Sequence, residues 1–299
     1  MFTKKKNRIT QSYSEKVFSA VIVLIVLLIC FTMLYPFYYI IIVSFSNGRA
    51  VSNQLVKFWV VNPTLDAYKK IFDEAMLWNS YKNTLLYTIS GTAVNLIMTI
   101  LCAYPLAQQN LPFRKTFMKY IVITMFFSGG MIPSYLVVKN LNMMNTIWAI
   151  IIPGAISTYN MIIMRTFFMG IPRELHESAY LDGAGELQTL VRIVLPLSIP
   201  IIATEVLFYA VGHWNSYLSA LMYLDNRSKY PLQIYLRNVV IDGDMATMTD
   251  SLGMGLDFKA NEITIKYAVI VTSSLPIMCV YPFLQKYFVK GVMIGSLKG

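Results

Sequence analysis

The chain has 299 residues, 56% of them hydrophobic and only 13% charged, and carries a formal net charge of +10. Soluble chains are nearer about 25% charged, so this composition excludes an ordinary water-soluble domain and points to the membrane. The basic balance does not imply nucleic acid, because there is no long basic tract and the clustered bases flank apolar runs.

Residues 1–16 hold Lys4, Lys5, Lys6, Arg8 and Lys16 and read as an N-terminus outside the bilayer. The apolar run that follows is longer than the roughly 7–15 residues of a signal-peptide core and lacks a small-residue cleavage site. It predicts a retained first helix over 17–43, with Tyr35, Tyr38 and Tyr39 as an interfacial belt. Beyond it, Asn62-Pro63-Thr64-Leu65-Asp66 reads as a turn opening a short amphipathic helix from Leu65 to Leu77. Further stretches nearly free of charge predict spans at 84–107, 117–138, 146–168, 193–221 and 265–288. Each is long enough, or nearly so, for the ~20 residues that cross ~30 Å of hydrocarbon. Gly129, Gly130 and Pro133 predict a break or kink in the third span, while Pro153 and Gly154 lie inside the fourth. The polar segment from Asp225 to Lys266 is the best candidate for a mobile or partner-contacting loop.

The fold class is therefore an all-α integral membrane protein, with one six-helix domain over 17–292 and a short tail over 293–299. Arg114, Lys115 and Lys119 fill the second loop, Arg165, Arg173 and Arg192 frame the fourth, and Lys286, Lys290 and Lys298 follow the last span. With the N-terminal bases they fall on one side, which the positive-inside rule makes the cytoplasm, so both termini are expected there. Cys30, Cys102 and Cys279 all sit in apolar runs, with no spacing that suggests a metal site or a disulfide framework.

The fourth loop, 170–192, is unusual. A two-dozen-residue polar gap between apolar spans suggests a docking element for a soluble partner. Pro172 suits the first turn of a helix, and Glu174 and Glu177 place negative charge near its N-terminus. Asp182-Gly183 predicts its end, since glycine enters the left-handed conformation cheaply. A second helical piece is expected from near Glu186 into the fifth span, softened by Pro196 and Pro200. A surface ion pair between Glu177 and Arg173, worth a few tenths of a kcal/mol, is the plainer use of Glu177.

The pattern Glu177-Ser178-Ala179, Asp182-Gly183-Ala184, then Ile193, Leu195 and Pro196 resembles the EAA loop of ABC importer permeases. Ser178 departs from the usual Ala but is also small. The likeness extends over 156–175, Gly212-His213-Trp214-Asn215, Tyr230-Pro231-Leu232-Gln233 and 283–299, and is nearest to carbohydrate permeases of the MalG and LplC type. It implies the MetI-like, type I importer permease fold, with 170–192 carrying a cytoplasmic coupling helix, in a bacterial cell membrane. It also implies a second homologous permease subunit, two cytoplasmic ATPase subunits and an extracellular sugar-binding protein. No G-x-x-x-x-G-K-[ST] loop is present, so no cofactor is expected on this chain, and ATP and Mg would sit on the partner ATPases.

Candidates for the solute pathway are polar or aromatic residues inside the spans. Glu205 leads, as the one ionisable side chain well inside a span, and it could instead pair with the partner permease. Tyr159, Asn160, Asn95, Trp214 and Asn215 follow, although Trp214 also reads as a belt residue and His213 as a hydrogen-bonded packing residue. The favoured function is the permease subunit of an ATP-driven carbohydrate importer whose substrate is an oligo- or polysaccharide. The alternatives are an importer for glycerol phosphate or a polyamine, a stand-alone secondary carrier, and an integral membrane enzyme, for which no acid–base or metal cluster is evident.

Overall fold

The structure is a computed structural model that describes residues 12–242, 262–280 and 282. All its elements are helical, with no strand among the described residues. The chain divides into two compact units, residues 1–70 with 251–271, and residues 71–250 with 272–299.

In the first unit, α1 (Tyr13–Ser44) starts after Ser12, whose backbone N–H donates to the Glu15 carboxylate at 2.9 Å. Such a contact satisfies an orphan donor of the helix N-terminus. Most of α1 is exposed and apolar, as a lipid-facing helix must be, and it buries only Ile42, Val43 and Ser44. There α2 (Gly48–Ser52) folds back, and Ile42, Val43, Ala50 and Val56 make a small core. Asn62 takes a left-handed φ of 48° at the expected turn, and α3 (Asp66–Phe72) follows. It ends earlier than the predicted Leu77, because the chain breaks at Asp73 before the next helix begins at Ala75.

In the second unit the central element is α4 (Ala75–Ala107), 33 residues long and unbroken. Its buried positions include Ser80, Thr84, Tyr87, Gly91, Asn95, Thr99 and Ala103, a stripe of small and polar residues at helical spacing. Small residues let neighbouring backbones approach within a membrane, and polar ones bond across to them. Then come α5 (Arg114–Phe126), α6 (Met131–Asn140), α7 (Ile147–Ile151) and α8 (Thr158–Met169). The coupling loop contributes α9 (Arg173–Leu181) and α10 (Glu186–Thr189), and α11 (Leu195–Leu197), α12 (Ile199–Trp214), α13 (Leu218–Tyr223) and α14 (Leu232–Arg237) follow. The last described helix is α15 (Glu262–Val280).

Among the described residues, α1, α4 and α15 are the helices long and apolar enough to span a bilayer alone. Three more spans exist as bent pairs: 114–126 with 131–140 at 114°, 147–154 with 158–169 at 55°, and 186–197 with 199–214 at 84°. The third span breaks at Gly129-Gly130, where Gly130 has φ +85°. The fourth, expected as one helix over 146–168, breaks after Pro153-Gly154. The fifth, expected as one helix over 193–221, breaks at Ser198 and again after Trp214. The missing N–H groups and the rings of Pro196 and Pro200 account for the first of these breaks. A π-helical turn over Leu190–Val194 precedes it.

The first part of the polar outer segment is tightly held, contrary to the loop expectation for 225–266. Asn83 donates to the carbonyls of Ser228 (2.8 Å) and Tyr230 (3.1 Å), Tyr87 donates to that of Lys229, and Thr84 accepts from the Leu232 N–H at 2.7 Å. The Asp242-Gly243-Asp244 and Gly253-Met254-Gly255 clusters reach into residues outside those described.

Tyr235 of this strap donates to the Glu74 carboxylate just ahead of α4. Burial holds the Glu74 carboxyl above its ordinary value, partly offset by that hydroxyl. A raised folded-state value means that the neutral carboxyl is accommodated at full stability below the ordinary carboxylate range, and that this stability is lost as pH rises through the raised value, the Tyr235 hydroxyl offsetting part of the loss. Hydrogen-exchange protection factors across residues 228–237, corrected for the pH dependence of intrinsic exchange, should therefore be higher at pH ~4 than at pH ~7, and Glu74→Gln should remove that difference.

Candidate functional site

The coupling segment has an anchored inner face and an open outer one. Helix α9 follows Pro172 and stops in a hydrogen-bonded glycine turn: the Gly183 N–H donates to the Tyr180 carbonyl at 3.0 Å and the Ala184 N–H to the Ala179 carbonyl at 2.9 Å. This paired closure needs a left-handed residue, and Gly183 supplies it with φ +77°. Ala179 is buried. Glu177, Ser178, Asp182 and Gly183 are exposed, Ala184 is half-buried, and Ile193, Leu195 and Pro196 lie at the hinge beyond. Glu177 makes no ion pair with Arg173, so its carboxylate remains open at the surface.

Two features of this surface went unread in the sequence. Tyr180 and Leu181 stand 81% and 86% exposed beside Glu177, an unusual position for large apolar side chains at the end of a short polar helix. Burying such a side chain contributes about 1.5–3 kcal/mol, so the pair is suited to anchor a partner. The other feature is Tyr104, near the end of α4. Its hydroxyl donates to Glu186 Oε2 at 2.8 Å, and its ring stacks on His176 at 6.4 Å and meets Phe168 edge-on at 6.4 Å. One buried side chain therefore touches both helical pieces on either side of Gly183. Around it Ala103, Leu106, Met161, Met164, Leu190 and Val194 form one core, while the Arg165 Nε–H donates to the Leu106 carbonyl at 2.8 Å.

Within the membrane, a cavity of about 500 Å³ lies among α4, α7, α8, α12 and α13. Its polar lining is Asn95, Ser157, Asn160, Tyr209, His213, Ser216, Ser219 and Tyr223. Asn95 is fully engaged: its amide donates to the Gly154 carbonyl at 2.7 Å, and its oxygen lies 3.0 Å from His213 Nε2. That oxygen can only accept, so His213 carries its proton on Nε2. Tyr209 bonds to Thr99 Oγ1 at 2.6 Å, and its oxygen accepts from the Ser157 N–H at 3.3 Å.

The six pathway candidates separate in space. Asn95 and Asn160 line the cavity. Glu205 is completely buried, lies outside the lining, and has no hydrogen-bond partner for either carboxylate oxygen among the described residues. Trp214 is buried rather than a belt residue, with its Nε1 unpartnered. Tyr159 is 57% exposed, and Asn215 is exposed just past α12, where its amide turns back to the Val211 carbonyl. The sequence reading missed Tyr209, and His213 is packed and hydrogen-bonded as expected yet also faces the cavity.

Residues 81–294 match the family described as the binding-protein-dependent transport system inner membrane component, and the chain belongs to that family. The fold and site thus define a membrane permease of an ABC transporter, a transport component rather than an enzyme. The chain is 46% identical over 265 residues to Protein LplC of Bacillus subtilis, covering 88% of this chain and 89% of LplC. It is 44% identical over 271 residues to that organism's polygalacturonan/rhamnogalacturonan transport system permease protein YtcP, covering 88% and 92%. Among solved structures it resembles a chain of a bacterial ABC transporter involved in the import of the acidic polysaccharide alginate. The TM-score is 0.84 at 33% identity, over 93% of this chain and 99% of the other.

Two expectations follow. Tyr104→Phe keeps the ring contacts but deletes the bond to Glu186, and should cost about 1 kcal/mol, read as a lowered melting temperature. At Gly91 an added Cβ would lie 2.4 Å from His213 Nε2, so Gly91→Ala should cost about 1–3 kcal/mol and displace His213 from Asn95. The melting temperature and the His213 NMR signal would check this.

Proposed function

We propose that the chain is the permease subunit of an ATP-driven carbohydrate importer, carrying an oligo- or polysaccharide. In this reading it pairs with a second homologous permease and two cytoplasmic ATPase subunits, and receives sugar from an extracellular binding protein. Both termini face the cytoplasm of a bacterial cell, and ATP and Mg bind only to the partner ATPases.

The observation that carries the reading is the coupling helix. Glu177 is exposed and without an ion pair among the described residues, beside the apolar pair Tyr180 and Leu181, on a helix whose inner face is held by buried Ala179 and by His176 stacked on Tyr104. This is a surface for a basic and apolar cleft of an ATPase subunit. Closure of the ATPases pushes α9. Gly183 sets the turn, and Ile193, Leu195 and Pro196 carry the motion into the bend at Ser198 and so to α12, which lines the cavity. The cavity's amides and hydroxyls match sugar hydroxyls, and Tyr209 adds an aromatic group. YtcP and the alginate transporter, by their names, serve polysaccharides. Among the described residues no acid lines the cavity to meet a polyamine, since Glu205 is sealed away.

Charge reversal at a buried interfacial pair costs about 2 kcal/mol or more, roughly 30-fold in affinity. Glu177→Lys should therefore release the ATPases on co-purification and abolish uptake while the permease stays in the membrane. Gly183→Pro should do the same by forbidding the left-handed turn. Gly183→Ala, which meets no atom within 4 Å, should cost only about 1–2 kcal/mol of strain and leave partial uptake. Normal uptake by Glu177→Lys and Gly183→Pro together would overturn the coupling role.

A further inference from the structure

A second, larger cavity, of about 1020 Å³, lies beside α5 and the loop that precedes it, with Arg165 of α8 on its wall. The solute pathway and the coupling surface do not use it. Its lining from α5 is one helix face at i, i+1, i+4, i+5, i+8 and i+9: Arg114 and Lys115, then Met118 and Lys119, then Val122 and Ile123. Charge is confined to the first turn and a half, and the deeper wall is apolar. From Arg114 to Ile123 the helix rises about 14 Å.

Four cations converge here and no carboxylate lines the cavity. None of Arg114, Lys115, Lys119 and Arg165 forms an ion pair among the described residues. The Nη2 of Arg114 reaches only the Met169 sulfur, at 3.4 Å. Arg165 is held by its Nε–H bond to the Leu106 carbonyl, which steadies the guanidinium against the cavity wall. Uncompensated like charges around an open space favour an anion. Apart from the Gln109 amide, the remaining wall is apolar: Leu111, Phe113, Met118, Val122 and Ile123. A cationic mouth above an apolar wall fits an anion that carries hydrocarbon.

We propose that this cavity binds one anionic phospholipid of the cytoplasmic leaflet, with its phosphate between Arg114, Lys119 and Arg165 and its acyl chains along Met118, Val122 and Ile123. Basic pockets between membrane helices on the cytoplasmic side hold such headgroups, and each Lys or Arg near the surface adds to the attraction. The site tethers α5 to α8, the helix that leads directly into the coupling helix. The inference rests on the family's place in the membrane and on the basic loops facing the cytoplasm, and it is independent of which solute is carried.

The test is native mass spectrometry of the purified complex after exchange into phosphatidylglycerol or phosphatidylcholine. Wild type should retain one phosphatidylglycerol per copy of this chain and no phosphatidylcholine. The Arg114→Gln/Lys119→Gln double variant should weaken retention about 30-fold, and Lys139→Gln, outside the cavity, should leave it unchanged. Equal retention of the two lipids by wild type, which needs no variant to fold, would overturn the proposal. So would full retention by a double variant with an unchanged melting temperature. Displacement of the lipid by inorganic phosphate would show a free-anion site instead, and displacement by an oligogalacturonate would show a passage for acidic sugars.

Discussion

Every backbone N–H and C=O inside a bilayer must find a partner within the protein, because an unmet group costs several kcal/mol in hydrocarbon. Three of this chain's spans are broken helices, so the breaks create a debt of orphaned backbone groups. At the break in the fourth span, Asn95 donates to the Gly154 carbonyl and Tyr209 accepts from the Ser157 N–H. The Ser157 side chain then caps α8 at the Asn160 N–H. Those same groups line the cavity. Irregular backbone at membrane depth is tolerated where it borders a cavity or is buried in protein, so the broken helix and the polar pocket share one cause. The site is where the helix cannot continue.

The unbroken α4 is the fixed element around which this works. Near its N-terminal end, Asn83, Thr84 and Tyr87 hold the strap over 228–232; midway, Asn95 lines the cavity and Thr99 bonds the cavity's Tyr209; near its C-terminal end Tyr104 holds the segment over 173–189. The hinge lies elsewhere, in the π-helical turn over Leu190–Val194 and the 84° bend at Ser198, where Pro196 and Pro200 have removed two hydrogen bonds. The unbroken α4 and the weakened bend at Ser198 are thus separate features, so the proposed push on α9 could move α12 without dissolving the cavity wall.

Local chemistry was legible in the sequence wherever a residue's own backbone preference decides the outcome. Gly183 stops α9, Gly129-Gly130 breaks the third span, and Asn62 turns the chain before α3, whereas the break after Pro153-Gly154 was not foreseen. Charge-free length was enough to find six apolar stretches. Partnerships across the fold were not legible. Tyr104 meets Glu186 82 residues away, His213 meets Asn95 118 away, and Tyr209 meets Thr99 110 away. A single tyrosine among 20 carries no mark of such a contact. The stripe of Thr84, Gly91, Asn95 and Thr99 along α4 was the available clue, since small and polar residues at helical spacing inside a span announce a packed face. The outer strap was missed for a related reason: its polar composition suggests a loop, while its stability comes from carbonyls bonded to side chains of α4.

Glu205 shows what an intramembrane charge does and does not reveal. Its rarity in the span correctly marks it as unusual, but rarity cannot say which face it occupies. It sits on α12 one turn before Tyr209, sealed from water, with both oxygens unmet and Ser198 Oγ also unpartnered on the same helix. Burying an unpaired carboxyl is unfavourable, and an apolar side chain of similar size would be the more stable choice for this arrangement alone. The cost therefore falls on this conformation and raises its free energy relative to any arrangement in which Glu205 gains a donor. Because Glu205 lies on the helix that leaves the hinge, bending at Ser198 is the motion that changes its surroundings. A donor supplied by another chain, or by a different bend at Ser198, would remove that cost, and neither requires contact with the transported solute.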